Sequence, residues 1–171
     1  MTEKLYIIGN GFDLHHGLKT SYYHFANYLK SKDSELYSIL ESYISYPNSD
    51  KDLWSRFEEN LSNLDTDEIL SEHSDTLLNY TSDDFRDGDR YIFPDTMDNY
   101  YQKLTDGLFE IFQNFIQDVE FPSIASELKL EIDANFLTFN YTNTLEQLYN
   151  VDKKTFYISI TLPFTAQSIL F

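Results

Sequence analysis

The chain combines short continuous apolar runs with longer stretches in which apolar residues recur every three or four positions. The continuous runs lie within Lys4–Ile8, Asn135–Phe139 and Phe156–Ile158. Runs of this length that end in polar or turn-forming residues predict buried β-strands. The spaced stretches predict amphipathic helices, because this period places the apolar side chains on one helical face.

Most of the predicted helices lie between the first two strands. They are a helix carrying the stripe Tyr22, Phe25, Ala26 and Leu29, a second over about Ser34–Ser45, a third carrying Trp54, Phe57, Leu61 and Leu64, a short one near Asp67–Tyr80, a long one over about Thr96–Val119, and a last one that ends at Tyr149. Thr20 or Ser21 could cap the first helix, and Asn143 and Glu146 have capping-box spacing for the last. Pro47–Asp50 predicts a turn.

This order of elements indicates the fold class. Strands separated by helices predict a parallel α/β sheet. We therefore expect residues 1–171 to form a single α/β domain, with a large helical insertion over about residues 22–130 packed beside the sheet.

The first strand runs directly into Gly9-Asn10-Gly11. Glycines at this point can adopt positive φ and carry no Cβ to keep a ligand from the backbone, so the turn could cradle phosphate oxygens on main-chain N–H groups. The full dinucleotide fingerprint needs a third glycine, where this chain has Leu14. A plain structural turn is the alternative.

Composition and charge narrow the function classes. The chain has 29 acidic and 12 basic residues, a formal net charge of -17, no cysteine and 17% aromatic residues. This negative charge disfavours nucleic-acid binding, while the aromatic content indicates a packed core rather than disorder. Without cysteines or an apolar run of about 18 residues, we expect a cytoplasmic protein with no membrane partner.

Residues 65–95 are the most acidic part of the chain. Asp83-Asp84 and Asp87-Gly88-Asp89 stand in turn-like settings. Alternating aspartates can indicate a Ca²⁺ loop, but the ligand order of an EF-hand and its closing glutamate are missing. We expect a solvated acidic loop here, and we predict no metal site.

The loops that follow the first two strands should open onto one edge of the sheet, where ligands of open α/β sheets bind. Asp13 could bind a ribose hydroxyl or orient a water, or it could cap the following helix. Asn140 could contact a ribose or a water, or form a local turn. His15 and His16 follow the glycine turn, and either could act as a general base or contact phosphate, or simply pack.

Three motifs of the chain resemble those of the bacteriophage abortive infection AbiH family. They are Gly9–Leu14 followed by His16–Tyr22, the segment Trp54–Glu58, and Phe136–Thr142. They occur in the family's order and cover nearly the whole chain. The resemblance implies a role in phage defence, in which an infected cell stops growing before phage is released.

The family layout is similar to that of sirtuin-like domains, which implies a Rossmann-like parallel sheet in sirtuin-like order and a site for a small-molecule nucleotide. The ligand or substrate implied is NAD, with hydrolysis as the reaction. By this resemblance Gly9, Asn10, Gly11 and Phe12 would hold the pyrophosphate, with Tyr141 and Thr142 beside them in the second loop. Asn140, Asp13 and His16 would be the catalytic candidates.

The chain departs from the family after its third predicted strand. The family has His-Gly there, whereas this chain continues Ser159-Ile160 and then differs up to Phe171. We expect a C-terminal truncation or a frameshift near residue 159. The sheet would then lack strands, and a phage or host protein or a second copy of the chain could cover its exposed edge. The alternatives to a NAD-hydrolysing protein are a non-catalytic interaction or sensor module, and a hydrolase of another nucleotide or phosphoester with a metal held by aspartates.

Overall fold

Two parallel strands form the sheet in the described part of the chain. The computed structural model describes residues 4–44, 53–74, 86–123 and 128–151. Strand β1 (Leu5–Ile8) pairs with β2 (Asn135–Thr138), with Leu5 opposite Asn135 and Ile8 opposite Thr138. A parallel pair needs a long crossover connection, and the helical insertion provides it. The predicted α/β character and both strands are confirmed, and the chain is mainly helical.

The third predicted strand, Phe156–Ile158, and the predicted turn at Pro47–Asp50 lie outside the described residues. The sirtuin-like strand order therefore stays a prediction.

One face of β1 is exposed, which differs from the prediction of a fully buried strand. Leu5 is 59% exposed and Ile7 is 68% exposed, whereas Ile8 and its neighbour Phe136 are buried. Alternate residues of a strand point to opposite faces, and the described residues place a packed layer over one face of the pair only. That layer includes Leu145.

The described part of the chain contains eight α-helices in addition to this strand pair. They are α1 (Asn10–His15), α2 (Tyr22–Lys32), α3 (Ser34–Tyr43), α4 (Phe57–Leu61), α5 (Thr66–Glu72), α6 (Ile92–Gln102), α7 (Leu108–Gln117) and α8 (Thr144–Tyr149). Short 3₁₀ turns at Leu53–Arg56 and Asp87–Tyr91 lead into α4 and α6.

The helix boundaries agree with the sequence where a side chain supplies the cap. Ser21 accepts a hydrogen bond from the backbone N–H of His24, so the predicted cap of α2 is confirmed. Asn143 stands at the N-cap of α8, but its side chain makes no capping bond. The capping box predicted there is therefore wrong, although the helix start is right.

The long helix predicted over Thr96–Val119 is interrupted. It consists of α6 and α7 joined by a π-helical turn at Lys103–Gly107, and such turns insert one extra residue into a helix. The third predicted helix is also shorter than expected, because α4 ends at Leu61 and Leu64 instead pairs with Ile44 in an isolated bridge.

Two apolar clusters stabilise the described fold. The larger lies among the helices around Phe25, whose ring lies 5.0 Å from that of Phe112 and 5.7 Å from that of Phe57. The smaller lies against the strands and contains Ile8 and Phe136. Tyr141, which follows β2, packs against the helical cluster, so the loop after the second strand joins the two clusters.

Candidate functional site

A cavity of about 240 Å³ lies where the two strand-end loops meet the helical insertion. Its lining residues come from α1, the segment between α1 and α2, the loop after β2, and helices α2, α4 and α7: Asn10, Asp13, Thr20, Tyr22, Glu58, Phe112, Ile116, Phe139, Asn140, Tyr141 and Thr142. Asn10 and Asp13 thus share one cavity with Asn140, Tyr141 and Thr142. The prediction that both loops open onto one edge is confirmed for these five residues.

Asp13 ties the two loops together. Its side chain is 1% exposed, and its carboxylate accepts three side-chain hydrogen bonds. Asn140 Nδ2 and Thr144 Oγ1 donate to Oδ1 at 2.8 Å and 2.7 Å, and Thr142 Oγ1 donates to Oδ2 at 2.5 Å. A buried carboxylate is tolerated when its oxygens are satisfied in this way. None of these three bonds is a helix cap, and contact of Asp13 with a ribose stays a prediction.

Asn140 is oriented by that contact. Because a carboxylate can only accept, the amide nitrogen of Asn140 must face Asp13. Its Oδ1 is then the atom left over, and among the described residues this buried oxygen has no hydrogen-bond partner. Asn140 is 5% exposed and lines the cavity. An unsatisfied buried acceptor costs about 1–3 kcal/mol, so a ligand or water that donates to it would bind favourably.

In the same cavity lining, a glutamate and two tyrosines join the insertion to the second loop. The hydroxyls of Tyr22 and Tyr141 both donate to Oε1 of Glu58, the latter at 2.8 Å. Neither Glu58 nor Tyr22 is among the site residues predicted from the sequence. Glu58 does end the Trp54–Glu58 motif, and that motif was the signal that could have pointed to it.

Both phenols of this trio are held in their neutral form. Burial, helped by the hydrogen bond to Glu58, raises the pKa of Tyr22 far above its usual value. The same two causes raise the pKa of Tyr141. Burial disfavours the phenolate, and a neighbouring carboxylate disfavours it further. The two tyrosines therefore act as hydrogen-bond donors to Glu58.

The glycine segment lies differently from its prediction. Helix α1 begins directly after Gly9, whose φ of -127° is ordinary extended backbone, and Gly17 is the glycine with positive φ in the described part of the chain. Gly9, Gly11 and Phe12 line a separate shallow depression rather than the cavity. A Cβ at Gly9 or Gly11 would meet no atom within 4 Å, so both backbones are open to approach.

His16 lies outside the cavity lining and is buried between α1 and α8. Its Nδ1–H donates to the carbonyl of Phe12 at 2.7 Å, which leaves Nε2 to accept from the hydroxyl of Tyr149 at 2.6 Å. With both ring nitrogens engaged in packing contacts, His16 is not in position to act as a base at Asn140. His15 is exposed and borders the shallow depression.

The described residues contain no group of three or more His, Cys, Asp or Glu side chains placed to hold a metal ion. No helix among them has both the length and the apolar character needed to cross a bilayer. Asp83 and Asp84 of the predicted acidic loop lie outside the described residues.

The family model described as bacteriophage abortive infection AbiH matches residues 5–170 of the chain. That range includes every residue of the cavity lining. Neither a curated protein nor a solved structure matches the chain.

Proposed function

The chain belongs to the bacteriophage abortive infection AbiH family, which implies a role in phage defence, and from this premise we propose that it binds a nucleotide such as NAD in the cavity beside Asn140 and hydrolyses it. The observation that carries the proposal is the buried Oδ1 of Asn140, which has no hydrogen-bond partner within the described ranges. Asp13 orients this amide, and Asp13 is itself held by two threonines. A preorganised acceptor of this kind suits a ribose hydroxyl, a carboxamide N–H or a reacting water.

The size of the cavity limits how much of the ligand it encloses. Pockets for drug-sized ligands have roughly 300–1,000 Å³, and this one has about 240 Å³. It suits one nucleoside-sized half of a dinucleotide. The pyrophosphate would then lie outside, and the open backbone at Gly9 and Gly11 is the surface that we propose for it.

Hydrolysis would break the bond between C1′ of the ribose and the nicotinamide nitrogen. Nicotinamide leaves with the electron pair of that bond, a water adds to C1′, and the proton of the water is released to solvent. Asn140 Oδ1 would hold the water or stabilise the positive charge that develops on the sugar. No histidine is needed in this scheme, because water adds readily to an oxocarbenium-like carbon; His16 accordingly has no part in it.

The first experiment is a calorimetric titration of the protein with NAD, ADP-ribose and ATP, followed by chromatographic detection of nicotinamide. The key variant is Asn140→Ala, which should retain NAD binding within about tenfold and lose turnover. Its matched control is Thr144→Val. This variant also removes one donor to Asp13, but Thr144 does not line the cavity, so turnover should persist.

The results of these titrations and turnover assays distinguish hydrolysis, binding alone and an interaction module. Binding with turnover that only Asn140→Ala abolishes supports the proposal. Binding without turnover in the unmodified chain overturns hydrolysis and favours a sensor that binds NAD. Absence of binding to all three nucleotides overturns the nucleotide site, and an interaction module in phage defence then becomes the better account. Plaque assays on bacteria that express the same variants connect the site to protection.

A further inference from the structure

The charges around the cavity have one sign. Among the eleven described residues that line it, Asp13 and Glu58 are acidic and none is Lys, Arg or His. Phosphate groups are normally bound by cationic side chains or by backbone N–H groups, so these walls disfavour a phosphate inside the cavity. They favour a ligand group that is neutral or positively charged.

Of the two carboxylates, Glu58 is the one that remains available to a ligand. Asp13 is buried and accepts three hydrogen bonds from its own chain. Glu58 accepts the hydrogen bonds of Tyr22 and Tyr141 on the same oxygen, Oε1, so these two bonds leave Oε2 unused. Glu58 is an exposed residue that lines the cavity, and the two tyrosine hydroxyls hold its carboxylate in place there.

Asn140 is a second, independent indication that this cavity binds a ligand. Its Oδ1 is buried without a partner in the described part of the chain, and the residue is 5% exposed. The amide acceptor of Asn140 and the carboxylate of Glu58 both belong to the cavity lining, and both attract groups that carry partial or full positive charge. Each of these atoms would repel an anion.

We propose that Glu58 is a specificity-determining residue that makes the cavity select a positively charged ring over a neutral ring of the same shape. This rests on the proposed function and extends it: the oxidised nicotinamide of NAD⁺ carries the charge and the reduced ring of NADH does not. Tyr22 and Tyr141 are positioning residues that hold the carboxylate. A single charge near a partly exposed site is worth about one factor of ten in affinity.

The test compares NAD⁺ and NADH by calorimetry on the protein and on Glu58→Gln. Glutamine keeps the shape and an oxygen that accepts from the tyrosines, but it has no charge. The matched control is Glu59→Gln, which removes the same charge one residue away. Glu59 is exposed like Glu58, but it pairs with Arg56 at 3.5 Å and does not line the cavity.

In the unmodified chain we expect NAD⁺ to bind about tenfold more tightly than NADH, and the preference to shrink with added salt. Glu58→Gln should weaken NAD⁺ about tenfold and leave NADH within about twofold, while Glu59→Gln keeps the preference. Tyr141→Phe, which frees the carboxylate on one side, should reduce the preference in part and serves as the second variant if Glu58→Gln fails to fold.

Equal binding of NAD⁺ and NADH by the unmodified chain would overturn the role of Glu58 and leave the nucleotide site standing. A preference that survives in Glu58→Gln would overturn it as well. Binding of neither dinucleotide would overturn the proposed function and this inference together, so the two failures are distinguishable.

Discussion

Replacement of Asp13 by alanine should destabilise the fold more than any other single change at the strand-end loops. The carboxylate accepts hydrogen bonds from Asn140, Thr142 and Thr144, and alanine removes all three. The Asn140 amide and one threonine hydroxyl are then left buried without this acceptor, because the hydroxyls of Thr142 and Thr144 lie 2.8 Å apart and only one of them can donate to the other. Hydrogen bonds to a charged group contribute about 1.5–3 kcal/mol each, so the gross loss is about 5–9 kcal/mol. Removal of a buried charge returns several kcal/mol of desolvation free energy.

The net expectation is a loss of about 3 kcal/mol in the free energy of unfolding, which for a chain of this size corresponds to a melting temperature lowered by about 6–12 °C. Urea titration followed by tryptophan fluorescence measures it, because Trp54 is the one tryptophan of the sequence and it is buried. Circular dichroism on the same samples checks that the strand pair and the helical cluster unfold together.

Asn10→Ala is the matched control for Asp13→Ala. Asn10 lies on the same helix and also exchanges side-chain hydrogen bonds with the other wall of the cavity, at Thr20, but it is exposed. Its loss should cost less than about 1 kcal/mol. Since Asp13 and Thr142 share one bond, Asp13→Ala and Thr142→Val should couple by about 1–2 kcal/mol in a double-mutant cycle. A change of less than about 0.5 kcal/mol in Asp13→Ala, or additive effects in the cycle, would refute the reasoning.

Two further predictions concern backbone conformation and alkaline pH. Gly11→Ala should stabilise the protein by up to about 1 kcal/mol, because an exposed helical glycine is replaced by a better helix former and the new Cβ meets open space; Gly17→Ala should destabilise it by about 1–2 kcal/mol, because Gly17 has φ +78°. Equal signs in thermal melts of the two variants would contradict this account. The hydrogen bond to Asp118 raises the pKa of Tyr28 to about 12, from 10.0 in the unfolded chain. The contribution of this tyrosine to the free energy of unfolding is complete below pH 10 and is lost as the pH rises to about 12. Unfolding titrations should therefore show less alkaline destabilisation in Tyr28→Phe than in the unmodified chain. An identical pH profile would contradict the role of this bond.

The glycine segment shows what a local sequence pattern does not predict, namely the surface that its residues face. The sequence predicts that the chain turns sharply after Ile8, and it does. Whether Gly9 and Gly11 point into the cavity or away from it depends on the direction in which α1 leaves the strand. Because α1 begins at once, Asn10 and Asp13 face the cavity, whereas Gly9 and Gly11 face a separate depression.

Glu58 is a second residue whose surroundings the sequence does not predict. Its motif is visible in the sequence, but its partners Tyr22 and Tyr141 are 36 and 83 residues away along the chain. Periodicity assigns Phe57 to a buried helical face and predicts nothing about which loop will pack beside the next residue. The trio therefore exists only once the helical insertion has closed over the end of β2.

What the sequence by itself determined are the features that depend on neighbours in the chain: two apolar strands, the helical periodicity of the insertion, the Ser21 cap and the polar loops at the strand ends. The tertiary structure alone decided the partners of those polar groups. It buried Asp13 among three donors, left Asn140 Oδ1 without one in the described chain, and turned His16 towards Tyr149. The physical reason is that a hydrogen bond depends on distance in space, which sequence spacing does not specify once a long insertion separates the two strands.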